Sequence, residues 1–175
     1  MSERVYNVLF LCTGNSARSI IGEAVMNHLD DKRFRAFSAG SHPKGAVNPM
    51  ALEMLDKAGI STAGLRSKSW EEFAAPDAPT MDFIFTVCDD AAGETCPIWP
   101  GHPMTAHWGI SDPASVPPPE FKQRAAFEDA LRFMRNRITA FASLPHASID
   151  RLALKASLKT IGAMEGSTSK PASVA

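Results

Sequence analysis

The 175-residue chain has no long apolar run, almost no net charge, a single tyrosine and only three cysteines. Each scarcity excludes something. No apolar stretch approaches the ~20 residues of a membrane span, and the opening Met1-Ser2-Glu3-Arg4-Val5-Tyr6-Asn7 lacks the charged-then-apolar shape of a secretion signal. Eighteen Lys and Arg face nineteen Asp and Glu, a net charge of −1, so no strong field gathers nucleic acid or an anionic membrane. Any anion binding must be local. Three cysteines without a secretion signal suit a reducing cytoplasm better than a disulfide scaffold.

What is present is ordinary for a globular chain: 45% hydrophobic and 21% charged residues. The length suits one domain with a real core, burying roughly 70% of its unfolded surface. Strand and helix signals alternate. Val8-Leu9-Phe10-Leu11 is a continuous apolar run that reads as a buried parallel strand, and Ile20, Ile21, Ala24, Val25 and Leu29 then recur at helical spacing. Phe34 to Gly40 alternates like a strand. Asn48 caps a helix with Pro49 at its first position and Gly59 at its end. Ser69 and Glu72 have capping-box spacing for a short helix, whose Trp70 and Phe73 lie at the edge of the site. Phe83-Ile84-Phe85-Thr86-Val87 and Met104-Thr105-Ala106-His107-Trp108 read as the third and fourth strands. Val116-Pro117-Pro118-Pro119 leads into a long helix over 120–141, and Ser148 is placed to cap a last helix with Ile149, Leu152, Ala153, Ala156 and Ile161 on its apolar stripe. The pattern predicts one doubly wound α/β domain over 1–163, followed by a small, polar, disordered tail over 164–175.

The chemistry concentrates in Cys12-Thr13-Gly14-Asn15-Ser16-Ala17-Arg18-Ser19, a loop between the first strand and the first helix. Peptide N–H groups of residues 13 to 18, added to the positive end of the helix, converge on a tetrahedral anion. Cys12 is useful only as a thiolate, and the helix start with the Arg18 guanidinium can lower a thiol from ~8.5 to roughly 3.5–7.5. It is then charged at neutral pH. The planar fork of Arg18 matches two oxygens of a phosphate-like anion. Ser19 can donate to the thiolate, and Gly14 and Asn15 tolerate the left-handed backbone that turns amides inward. A purely structural cysteine in a tight turn leaves the Arg-Ser ending unexplained.

These residues resemble the low-molecular-weight protein tyrosine phosphatases and the arsenate reductases that share their fold. The resemblance runs from about residue 5 to residue 161. Thr86-Val87-Cys88-Asp89-Asp90-Ala91, Cys96-Pro97-Ile98-Trp99-Pro100-Gly101, Ala106-His107-Trp108-Gly109 and Asp112-Pro113-Ala114 look like the arsenate reductase branch. Ala17 stands where the phosphatases usually carry a second cysteine, and Ala114 where they carry an aromatic that holds a phosphotyrosine ring. The resemblance implies a three-layer α/β/α domain with a four-stranded parallel sheet. It implies a cytoplasmic arsenate reductase, with phosphate as a competing anion and a tyrosine phosphatase as the alternative activity. An anion-sensing or partner-binding domain is a third possibility.

The implied roles follow residue by residue. A leaving oxygen needs a proton, and Asp112, stiffened by Pro113, is implied as the general acid. Hydrolysis needs one cysteine, whereas reducing As(V) to As(III) takes two electrons, which two thiols provide by forming a disulfide. Cys88 leaves the sheet at the same edge as Cys12, and in the matching reductases it attacks the sulfur of Cys12. Cys96 is then positioned to attack that disulfide and carry the oxidation outward. The reductant is thioredoxin, or a low-molecular-weight thiol with a glutaredoxin-like protein. No bound cofactor is implied. A zinc site of Cys88, Cys96, His102 and His107 is the chemical alternative, but seven residues separate the two cysteines, against about two to four in zinc knuckles. Arg66 and Lys68 read as surface charge.

Overall fold

A computed structural model of the chain describes residues 4–89 and 99–168. The elements run β1 (Tyr6–Leu11), α1 (Arg18–Leu29), β2 (Phe34–Ala39), α2 (Pro49–Lys57), α3 (Glu71–Ala74), β3 (Phe83–Thr86), β4 (Met104–His107), a 3-10 turn (Pro113–Ser115), α4 (Glu120–Ala142) and α5 (Arg151–Gly162). The four strands form one sheet in the order β2-β1-β3-β4, and every pairing is parallel. The chain leaves β1 towards β2 on one side and returns to β3 on the other. The switch point between β1 and β3 opens a crevice at their carboxyl ends.

Both faces of the sheet are covered, which is why β1 and β3 read as unbroken apolar runs. Val8, Phe10, Phe83 and Phe85 pack with residues of α1, α2, α4 and α5. Leu9, Leu11 and Ile84 pack with Phe73 of α3, Met81 and Trp99. Trp108 stacks on Phe85 with ring centroids 3.7 Å apart, and its indole N–H donates to the Leu158 carbonyl at 3.0 Å. That bond ties α5 to the sheet.

Asn48 caps α2 as expected, accepting from the Met50 N–H at 2.9 Å. Two caps differ from the expectation. Ser69 accepts from the Glu71 N–H, while the Glu72 carboxylate turns away to Arg66, so no reciprocal box forms. The last helix is capped by Asp150, which accepts from Ala153 N–H at 2.8 Å; Ser148 bonds back to Pro145. The buried face is Leu154, Leu158 and Ile161, of which only Ile161 lies on the expected stripe, while Leu152 is 80% exposed. Residues 164–168, placed in the tail by composition, are held to the domain. The buried Arg137 guanidinium donates to the Met164 and Glu165 carbonyls, and Thr168 N–H donates to Gly109.

Candidate active site

The loop of residues 12–17 emerges where β1 ends. Cys12 N–H continues the sheet pattern to the Ala39 carbonyl at 3.2 Å, and Asn15 takes the left-handed backbone with φ 43°. Gly14 is not left-handed. Its missing side chain instead makes room for Lys44, whose stem lies 3.2 Å from where a Cβ would sit. Helix α1 starts without a side-chain cap, which leaves its first N–H groups to the loop interior. The resulting pocket, about 210 Å³, is lined by residues 12–18 with His42, Lys44 and Asp112.

Arg18 spans the crevice. Its guanidinium donates to the Ile110 carbonyl at 3.0 Å and stands 3.8 Å from the second carboxylate oxygen of Asp112. The other Asp112 oxygen accepts from Ala114 N–H at 2.9 Å and caps the 3-10 turn. The carboxylate is therefore fixed at the wall of the pocket that Cys12 also lines. Ser19 is fully buried and accepts from the Asn15 amide at 2.8 Å, so its proton remains available for donation. Position 114 brings no ring to the rim.

Strand register explains the second thiol. Leu11 of β1 pairs with Thr86 of β3, and Val87 N–H donates to the Leu11 carbonyl, so the residues that follow leave neighbouring strands side by side. Cys88 is buried, accepts from Thr13 N–H at 3.3 Å and is close enough to Cys12 to influence its ionisation. The Cys88 thiol beside it and burial push the Cys12 thiol up, against the opposing pull of Arg18 and the Gly14 N–H. The loop alone predicts a thiolate at neutral pH; burial beside Cys88 works against that form and the Arg18 guanidinium works for it. Cys96 lies outside the described residues.

The carboxyl edge also carries residues that the sequence reading missed or misread. His42 and Lys44 sit on the loop after β2, zipped to the anion loop by His42 N–H to Thr13 and Lys44 N–H to Gly14. Position after a strand end was the available signal. Arg66 is a surface residue paired with Glu72, but Lys68 is only 7% exposed, so it is not surface charge. Neither lines the pocket. His107 engages Thr86 and Asp89 through its two ring nitrogens, each at 2.8 Å. Among the described residues, no group of three His, Cys, Asp or Glu is close enough to hold a metal.

Residues 7–149 match the family described as low molecular weight phosphotyrosine protein phosphatase. A relative named arsenate reductase from Bacillus licheniformis is 36% identical over 137 residues, which cover 77% of this chain and 94% of the relative. The crystal structure of an arsenate reductase from Archaeoglobus fulgidus superposes with a TM-score of 0.57 at 26% identity, covering 75% of this chain and 98% of the other. The tyrosine phosphatase Wzb of Escherichia coli shares the fold, with a TM-score of 0.63 at 20% identity, 79% of this chain and 96% of that one.

Proposed function

The chain belongs to the low molecular weight phosphotyrosine protein phosphatase family, and from that premise we propose that it is an arsenate reductase. The observation that carries this reading is the buried Cys88 thiol, held by the N–H of Thr13, the residue that follows Cys12. A hydrolase on this loop needs one thiol; a two-electron reductase needs two in reach of each other.

Arsenate binds to the loop N–H groups and Arg18. The Cys12 thiolate attacks arsenic, an arsenic–oxygen bond breaks, and Asp112 protonates the departing oxygen so that it leaves as water. Arg18 and Ser19 hold the charge that develops at the oxyanion and at sulfur. Cys88 then attacks the Cys12 sulfur as a thiolate. A sulfur–sulfur bond forms, the sulfur–arsenic pair stays on arsenic, and arsenite departs. The two thiols are oxidised to a disulfide and arsenic gains both electrons.

Cys96 carries the oxidation onward in this reading, to thioredoxin in the cytoplasm. Replacing Cys96 by Ser separates this route from a low-molecular-weight thiol with a glutaredoxin-like partner: the first stops and the second continues. Among the described residues, no helix is long and apolar enough to cross a membrane.

The test is a free-thiol count on reduced protein given arsenate without any reductant, with phosphate as control. The chain holds three cysteines, and formation of one disulfide removes two of the titratable thiols. Loss with arsenate and none with phosphate supports the reductase. No loss, with hydrolysis of an aryl phosphate, assigns the loop to a phosphatase.

A further inference from the structure

Lys68 is buried against the anion loop and does not line the pocket. Its ammonium donates to the Arg66 carbonyl at 2.9 Å and to Ser38 Oγ at 3.3 Å, and pairs with Glu23 at 3.5 Å. Ser38 Oγ itself donates to the same Glu23 oxygen at 2.8 Å. One cation thus joins the end of β2, the middle of α1 and the segment around residue 67. A buried ammonium without partners is costly, and here a carboxylate and two further acceptors offset that cost.

The consequence of this lock is felt in the loop above. Lys68 N–H donates to the Asn15 carboxamide oxygen at 2.9 Å, and Ser67 Oγ donates to the Gly14 carbonyl at 3.3 Å. Asn15 holds the left-handed turn of the loop. With its oxygen held by Lys68, its NH₂ group is directed to Ser19 Oγ at 2.8 Å. Neither end of the amide is left to turn. The Ser19 hydroxyl, its acceptor role taken, keeps its proton for the thiol site.

We propose that Lys68 is a positioning residue for the oxyanion site: its ammonium, locked onto Glu23 and Ser38, holds its own peptide N–H against Asn15 and so fixes the loop and the Ser19 donor. It rests on the reading of residues 12–18 as the arsenate site. The charged pair does not touch the anion; it acts through Asn15.

The test compares the full chain with the double variant Lys68→Met, Glu23→Gln, which removes both charges at similar volume, and with Ser38→Ala, which only loosens the lock. Calorimetric binding of inorganic phosphate and the pH profile of Cys12 alkylation, followed on the Cys12 peptide by mass spectrometry, are the two readouts. In the folded double variant, phosphate binding weakens about tenfold. The alkylation midpoint rises by about half a pH unit, because a loosened loop presents fewer donors to the thiolate. Ser38→Ala gives a smaller shift of the same sign. A lower melting temperature with both readouts unchanged makes the pair merely structural and overturns the proposal. Should the double variant not fold, unchanged readouts in Ser38→Ala overturn it equally. If the unmodified chain binds no phosphate, the site reading itself fails and the proposal with it; if it binds and the variants bind alike, only the proposal fails.

Discussion

Thr13 N–H donates to the sulfur of Cys88 at 3.3 Å, and the Thr13 hydroxyl lies 3.6 Å from the same sulfur. The residue that follows the nucleophile therefore holds the second thiol. The contact comes from backbone register, because β1 and β3 are parallel neighbours and both chains leave the sheet at one edge.

Replacing Cys88 by Ala tests that juxtaposition. Arsenate-dependent thiol loss should disappear and steady-state arsenate reduction should fall at least ~100-fold, since no thiolate remains to attack the Cys12 sulfur and release arsenite. Phosphate binding should persist, because Cys88 contributes no donor to the pocket. Reduction at the native rate in this variant would remove the relay.

The same variant changes the ionisation of Cys12. In the intact protein the neighbouring Cys88 thiol and burial raise the thiol, while Arg18 lowers it. Removing Cys88 deletes the largest raising cause, so the alkylation profile of Cys12 should move to lower pH. The sign for stability also follows. A thiol raised in the folded state stabilises the fold below its unfolded value, about 8.5, and that contribution fades as pH climbs above it. The melting temperature should fall on the alkaline side, less steeply without Cys88.

Asp112→Asn keeps the cap to Ala114 N–H, since an amide oxygen accepts as a carboxylate does. It removes the proton donor. Turnover should drop ~100-fold or more, with the phosphate dissociation constant changed by no more than about threefold. Normal turnover would take the acid role from Asp112.

Much of the fold was legible because its signals are local. The unbroken apolar runs at β1 and β3 report sheets covered on both faces, and Asn48-Pro49 with Gly59 brackets α2. The last helix misled because Ser148 and Asp150 are equally good caps in isolation, and packing of Leu154 and Leu158 decided between them. In the site, Cys12, Arg18 and Ser19 were visible as one contiguous loop, and Cys88 and Asp112 came with the family resemblance. The rise of the Cys12 thiol was not legible, because it depends on a partner 76 positions away in sequence. Lys68 looked like surface charge because no local pattern records that Glu23 and Ser38 enclose it.

Lys44 is a separate case, a cation at the mouth of the pocket whose stem lies against Gly14. Lys44→Met should raise the KM for arsenate roughly three- to tenfold and leave kcat unchanged, as expected for a contact made equally in ground and transition states. The difference should shrink in high salt, since an exposed ammonium acts through a screened field. An unchanged KM at low salt would show that Arg18 and the loop N–H groups bind the anion unaided.

Gly40 connects the fold to the site most directly. A Cβ at this position would overlap the carbonyl oxygens of Thr13 and Cys12, which are backbone and unable to swing aside. Gly40 N–H also donates to the Lys68 carbonyl, and its own carbonyl accepts from Trp70 N–H, so β2 cannot retreat to make space. The strain must therefore enter the anion loop. Gly40→Ala should weaken phosphate binding at least ~10-fold and slow Cys12 alkylation, with a loss of stability of about 1–3 kcal/mol from overpacking. A variant that loses stability yet binds phosphate normally would show that the loop shape does not depend on the close approach of β2.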